Sequence, residues 1–123
     1  MKTGTLLGWG AFQPGNQPSS FLRRIELEIS QDVLCKEEFP KLFGEQNFCT
    51  IYTRTENYGA CVGDSGGPFV VGSSDRRKVF GILSKGPAYC SSNRTEPVAG
   101  LFARLTNKDI ADWIKKTSKK LND

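Results

Sequence analysis

Histidine is absent from this sequence: none of its 123 residues carries an imidazole. The imidazole is the usual proton carrier of enzymes near neutral pH, so chemistry confined to these residues must proceed without it. Long apolar runs are absent too, and no stretch approaches the roughly 20 apolar residues of a membrane span. The segment after Met1 lacks the apolar core of a signal peptide. We therefore expect no membrane partner and expect any export signal to lie outside this chain.

Closely spaced cysteine pairs are absent as well. The sequence has four cysteines, none in a Cys-x-x-Cys pair: Cys35, Cys49, Cys61 and Cys90. This spacing disfavours a zinc site, and we expect no metal and no other cofactor. An even number of widely spaced cysteines favours two disulfides in an oxidising compartment, and about three pairings are open on spacing alone. Asn93 begins an Asn-x-Thr glycosylation acceptor, which is consistent with secretion.

The composition is that of one globular domain, with 37% apolar and 24% charged residues. Its net charge is +4, and much of it comes from the C-terminal lysines Lys115, Lys116, Lys119 and Lys120. A solvated helix face is the favoured interpretation of these lysines, and a polyanion site is the alternative. We expect no nucleic-acid partner, because aromatic and basic residues are not interleaved as in single-strand binders.

Short apolar runs separated by turn residues predict an all-β fold. Residues 25–29 alternate strictly between apolar and polar, as a half-buried strand does. Ser30 is placed to cap a short helix over residues 32–39. Residues 13–18, rich in Pro and Gly, predict a loop. The other predicted strands are 5–9, 48–52, 69–71, 79–83 and 101–105.

The C-terminal residues instead predict an amphipathic helix. Apolar or small residues recur there every three or four positions: Ile110, Trp113, Ile114, Thr117 and Leu121. Either Thr106 or Asn107 can cap this helix. Acidic residues lie near its start and lysines near its end, the order that the helix dipole favours.

The hexapeptide GDSGGP at residues 63–68 carries the most specific chemistry. A serine hydroxyl attacks a carbonyl only when a base removes its proton and nearby donors hold the developing oxyanion. Gly63 can turn its N–H into the same cavity as the N–H of Ser65, and Gly66 and Gly67 leave room for a substrate. The alternative, a glycine-rich turn with an incidental serine, is disfavoured by the length of the match.

With this hexapeptide, the sequence resembles the trypsin and chymotrypsin family. The resemblance covers nearly the whole chain but only the second half of the family's domain. It implies an all-β fold: a six-stranded antiparallel barrel, the second half of the chymotrypsin-like double barrel, with a short helix and a C-terminal α-helix. Residues 1–123 would then be part of one trypsin-like serine protease domain. The matching segments occur in the family's order: GWG at 8–10, CVGDS at 61–65, GILS at 81–84 with Gly86 and Cys90, GLFARL at 100–105 and DWI at 112–114.

The resemblance implies roles for the residues of the hexapeptide. Ser65 would be the nucleophile, and the amides of Gly63 and Ser65 would form the oxyanion hole. Asp64 would pair with the amine that zymogen cleavage frees. The family would also join Cys35 to Cys49 and Cys61 to Cys90.

The resemblance further implies a substrate pocket. Gly59 occupies the pocket base, where trypsin-like members carry an acid, so an apolar or aromatic substrate side chain is expected. Gly86 and Gly100 would leave the pocket walls open, beside Ser84 on the cleft strand. Lys85 replaces a common tryptophan, which can narrow or recharge the cleft. A substitute role for Lys85 as the base of Ser65 is disfavoured, and a solvent-facing position is preferred.

Three elements of the family pattern are missing from these residues. The catalytic histidine and aspartate belong to the family's first barrel, and nothing here corresponds to it. Asp64 also lacks its amine partner, and Val71 stands where many members have a cysteine. Loss of a triad member leaves only about 10³–10⁴-fold catalysis over water, so the chain alone is expected to be inactive.

Two main hypotheses follow for function. The first is a segment of a secreted serine endopeptidase, truncated near the junction between barrels, which cleaves peptide or protein substrates through an acyl-enzyme. The alternative is a non-catalytic homologue that binds or regulates a partner, and a basic polyanion-binding module is a weaker third. Either main hypothesis predicts an exposed apolar seam, covered by the first-barrel half or by another protein.

Overall fold

A computed structural model describes residues 3–9, 20–52, 65–86 and 98–122 of the chain. The described residues form six strands, two α-helices and one short 3-10 helix. The strands are β1 (Thr3–Gly8), β2 (Arg23–Glu28), β3 (Asn47–Tyr52), β4 (Pro68–Val71), β5 (Lys78–Lys85) and β6 (Val98–Arg104). The helices are α1 (Asp32–Glu38), the 3-10 turn Ser74–Arg76 and α2 (Lys108–Leu121).

The six strands form one antiparallel sheet that closes on itself. Their order is β2-β1-β4-β5-β6-β3. A bridge between Ile29 and Thr50 joins the two outer strands of this order, and the Ser30 N–H donates to the Cys49 carbonyl at 2.9 Å. The predicted fold class is confirmed: this is the barrel half of a chymotrypsin-like fold, with a short helix and a C-terminal helix.

Phenylalanine rings fill the interior of the barrel. Phe48 on β3 stacks on Phe102 of β6, with ring centroids 4.8 Å apart, and meets Phe69 of β4 edge-on at 5.3 Å. All three rings are fully buried. Offset and edge-to-face ring pairs stabilise a core beyond the gain from burying their apolar surface. These contacts therefore help to hold together three strands that are distant in sequence. Leu6, Leu27, Phe80 and Leu83 complete the cluster.

A second, smaller core lies between the barrel and α1. Cys35 of α1 is bonded to Cys49 of β3, and both are buried with Leu101. This is the pairing that the family resemblance implied. The bond closes a loop across a sequence separation of 14 residues. A loop of that size corresponds to about 3 kcal/mol of chain-entropy stabilisation.

The predicted cap of the first helix is wrong. The N-cap of α1 is Gln31, which makes no side-chain cap hydrogen bond, and the helix ends at Glu38. The hydroxyl of Ser30 instead accepts the Ile51 N–H at 3.0 Å. Ser30 therefore links the end of β2 to β3, because its hydroxyl accepts a hydrogen bond from the Ile51 amide of β3.

The predicted C-terminal helix is present as α2. Asn107 is its N-cap, with a side-chain oxygen that accepts the N–H groups of Asp109 and Ile110 at 3.1 and 3.3 Å. No residue of α2 is fully buried, and Trp113 remains 65% exposed. The helix is thus held at its start by its own cap, and its apolar face is only partly covered.

Candidate functional site

Ser65 lies in a tight turn that precedes β4. Ser65 and Gly66 are exposed, and Gly66 has a φ of +85°, in the left-handed region that favours glycine. The Gly66 N–H donates to the Leu83 carbonyl at 2.8 Å, and the Leu83 N–H donates to the Gly67 carbonyl at 3.0 Å. These two bonds fix the turn on β5. The serine hydroxyl is therefore presented to solvent from a backbone anchored on the barrel.

The end of β5 forms the neighbouring edge of the site. Ser84 and Lys85 follow the anchoring residue Leu83 and are both exposed, and Gly86 is half-buried. The pairing of β5 with β6 shifts register between Leu83 and Lys85. Such an irregularity re-aims side chains relative to a regular ladder. The structure thus brings the Ser65 turn and β5 together and leaves Lys85 exposed, while the place of Lys85 in a substrate cleft stays a prediction.

An open apolar cavity of about 420 Å³ adjoins the Ser65 turn. Trp9 and Leu22 on its wall are 56% and 52% exposed, although both side chains are large and apolar. Sequence reasoning predicted an exposed apolar seam without naming its residues. The signal available in the sequence was the large apolar Trp9 at the end of the predicted strand 5–9. The residues that line the cavity are Leu7, Gly8, Trp9, Leu22 and 65–68.

Gly100 is buried on β6, opposite Thr50 of β3. A Cβ at this position would lie 3.3 Å from both Leu83 and Phe102 and 3.4 Å from the Thr50 hydroxyl. These are close approaches that leave little room for a larger side chain. Its described neighbours are therefore side chains of the barrel, and its predicted contribution to a pocket wall stays a prediction.

Six residues singled out from the sequence lie outside the described residues. They are Gly59, Cys61, Gly63, Asp64, Cys90 and Asn93. The oxyanion hole, the zymogen carboxylate, the pocket base, the second disulfide and the glycosylation acceptor consequently remain predictions. The predicted loop at 13–18 also lies outside them.

A second cavity, also about 420 Å³, was not foreseen from the sequence. Arg104 lies on its wall and donates through Nε to the Asn47 carbonyl at 3.1 Å. Its guanidinium lies 5.7 Å from the centroid of the Phe48 ring and 3.7 Å from the Asp32 carboxylate. Asn47 in turn donates to the Phe102 carbonyl at 3.1 Å. These contacts tie the end of β6 to β3 and α1, which is a structural role.

The closed barrel and the exposed serine turn define the class, a chymotrypsin-like barrel half. A family model described as Trypsin matches residues 1–114. The chain belongs to the trypsin family.

Three curated proteins illustrate the relationship. The chain is 33% identical to transmembrane protease serine 11G of Mus musculus, over 90% of this chain and 26% of that protein. It is 29% identical to the suppressor of tumorigenicity 14 protein homolog of Bos taurus, over 88% of this chain and 12% of that protein. It is 30% identical to trypsin zeta of Drosophila melanogaster, over 87% of this chain and 37% of that protein. The chain thus spans well under half the length of these relatives.

No helix among the described residues is long and apolar enough to cross a membrane.

Proposed function

We propose that this chain supplies the nucleophile-bearing half of a secreted serine endopeptidase that cleaves peptide or protein substrates through an acyl-enzyme. The observation that carries the proposal is the exposed Ser65, held in a glycine turn on β5 beside an apolar cavity. Ser65 is the nucleophile, and the Gly63 and Ser65 amides hold the oxyanion. Asp64 pairs with the amine that activation frees.

The catalytic base comes from outside these residues. The sequence contains no histidine, and a serine hydroxyl needs a base to become nucleophilic. The apolar cavity lies directly beside Ser65, so a partner that covers it is well placed to bring an imidazole to the hydroxyl. The first-barrel half of the protease domain is that partner. The chain alone is inactive.

The substrate preference is chymotrypsin-like. Gly59 leaves the pocket base uncharged, and Gly86 and Gly100 line its walls. Without a carboxylate, a buried Lys or Arg side chain of the substrate would remain unpaired, which is costly. Cleavage after Phe or Leu therefore exceeds cleavage after Arg in the assembled protease, and a preference for Arg would contradict this assignment.

A serine-directed fluorophosphonate probe tests the proposal. The 123-residue chain should remain unlabelled. The same residues joined behind the first-barrel half of a trypsin-family protease, and cleaved so that its activating amine is free, should be labelled, since that half supplies the histidine and aspartate. The Ser65→Ala version of the joined protein is the control and should lose the label.

Two results would contradict the proposal. Strong labelling of Ser65 in the chain alone would show that no outside base is needed. A joined protein that folds, judged by circular dichroism and by an intact Cys35–Cys49 bond, yet stays unlabelled would exclude Ser65 as the nucleophile.

A second candidate is a non-catalytic homologue that binds a regulatory partner. The exposed Trp9 and Leu22 favour it, because a large apolar surface is also what a binding module presents. The coding sequence upstream of Met1 separates the two. A histidine-bearing first barrel supports the protease, and a stop codon or an unrelated domain supports the binding module.

A further inference from the structure

The helix α2 separates two kinds of surface around its axis. At 100° per residue, Trp113 and Leu121 fall on one side, and Lys115 and Lys119 fall on the other. Lys116 and Lys120 extend the basic side to the edge of the apolar side, where Lys120 lies about 20° from Trp113 around the axis. All four lysines are exposed. The helix therefore presents a basic strip, defined here as Lys115, Lys116, Lys119 and Lys120.

One acidic residue, Asp112, borders the basic strip at its start, three residues before Lys115 and four before Lys116 on the same helix face. The two acidic residues of α2, Asp109 and Asp112, precede it, and the last nine residues of the helix, 113–121, contain none. Across the described residues, no ion pair involves any of the four lysines. Their charges are thus not neutralised within the fold. They equal in number the net charge of +4 of the whole chain.

We propose that the basic strip of α2 binds a sulfated polysaccharide. The lysines form two pairs spaced four residues apart, about 6 Å along the axis, so a linear chain of anionic groups can run along the helix. Binding to such a chain gains entropy from the counterions it releases. Sulfated glycans are the abundant linear polyanions of the oxidising, extracellular compartment in which a Cys35–Cys49 disulfide persists.

Two other polyanionic surfaces fit the helix less well. A single-stranded nucleic acid needs several aromatic platforms among the basic residues, and α2 offers one, Trp113, at the border of the basic strip. A basic amphipathic helix can also lie on an anionic membrane, with its apolar side inserted. At the centre of that apolar side Ile110 and Thr117 are half-buried, so the exposed apolar surface that could insert is limited to the residues around them. These are Trp113, Ile114 and Leu121. The four lysines are exposed beside them.

Binding to immobilised heparin tests the inference. The wild-type chain should bind at low ionic strength and lose affinity steeply as salt rises from about 0.05 to about 0.2 M. The variant K115Q/K116Q/K119Q/K120Q should bind at least about tenfold more weakly, because it has lost the contacts that release counterions. The control K36Q/K41Q/R77Q/K78Q removes the same charge from exposed residues elsewhere and should stay within about twofold of wild type.

Three results would overturn the inference. Wild-type chain that fails to bind heparin at low salt excludes the site. Equal losses in the two variants attribute binding to net charge and not to α2. The third result concerns phosphatidylcholine vesicles that contain phosphatidylserine. If the chain binds these vesicles more tightly than heparin, and Trp113→Ser abolishes the vesicle binding, the ligand is a membrane surface instead. Unchanged far-UV circular dichroism in both variants verifies that the comparison is between folded chains.

Discussion

At the scale of single residues, the turn before β4 depends on the backbone of Gly66. Its φ of +85° is strained for any residue with a Cβ, yet a Cβ built there would meet no atom within 4 Å. Space is therefore available at this position, and conformation alone selects glycine. The same backbone donates the 2.8 Å hydrogen bond to Leu83, so strain here acts on the segment that presents Ser65.

Gly66→Ala should lower the free energy of unfolding by about 1 kcal/mol, because alanine disfavours the left-handed region. Urea denaturation measures the change. Gly44→Ala is the matched control, since Gly44 has no positive φ and the nearest atom to a built Cβ is 4.0 Å away. The control should change stability by no more than about 0.5 kcal/mol. Equal losses of stability at the two positions would mean that the backbone conformation at Gly66 does not select glycine.

The sequence predicts the role of a residue where the chemistry lies in adjacent residues, and the role of Ser65 stays a prediction. The GDSGGP hexapeptide predicts Ser65 as the nucleophile from the sequence alone, because six adjacent residues specify one turn and one reactive side chain. Ser30 was misassigned, because its partner is the Ile51 amide 21 residues away. Arg104 and its contacts with Asn47 and Phe48 were not foreseen for the same reason. Local patterns do not encode partners that only the closed barrel brings near.

At the scale of elements, α2 begins at a cap that the sequence left open between two residues. Asn107 makes both cap hydrogen bonds, and the described contacts of α2 give it little other anchorage. A helix with few buried residues depends more than usual on its ends, because packing supplies little of its stability.

Asn107→Ala should destabilise the first turn of α2 by about 1 kcal/mol. The direct measurement is hydrogen exchange of the Asp109 and Ile110 amides, which should quicken roughly fivefold. Thr106→Ala is the control, because Thr106 is exposed and offers no cap bond, and it should leave both amides unchanged. Asn107→Asp should retain protection, since a carboxylate accepts the same bonds. Faster exchange of these two amides in Thr106→Ala would contradict the assignment of the cap to Asn107.

Most elements followed from periodicity. The alternation of Ile25, Leu27 and Ile29 predicted the half-buried strand, and Leu27 is buried while its polar neighbours Glu26 and Glu28 are exposed. Strand ends moved by up to three residues, because pairing with a neighbour sets where a strand stops. The barrel was predicted only through the family resemblance, and the order of its strands was not predicted. Pattern alone does not say which strands are neighbours.

At the scale of the whole molecule, the chain exposes apolar surface next to its proposed nucleophile. Trp9 and Leu22 both lie on the wall of the cavity beside Ser65. Phe21, adjacent to Leu22 in the chain, is 77% exposed. Exposed patches of this kind mark an interface or a tendency to aggregate.

The isolated chain should bind an apolar dye and self-associate, and W9S/L22S should remove most of the dye fluorescence. The control V33S/L42S alters two apolar residues of similar exposure, 61% and 51%, away from the cavity and should retain the fluorescence. Sedimentation velocity measures the association in parallel. A dilute monomer without dye binding would contradict an uncovered seam.

The bridge that closes the barrel, between Ile29 and Thr50, also bears on the order of folding. It joins residues only 21 positions apart, and the disulfide between Cys35 and Cys49 lies within that span. The pairing of β1 with β4 must instead bring Thr5 to Val70, and β3 with β6 must bring Cys49 to Leu101. Loop-closure entropy grows with the length of chain enclosed, so the closing contact is entropically cheaper than the β1–β4 and β3–β6 pairings. The contact that closes this barrel can therefore form early in folding. The slow step of folding is then the pairing of β1 with β4 and of β3 with β6, the strands β4 and β6 being those that carry Phe69 and Phe102.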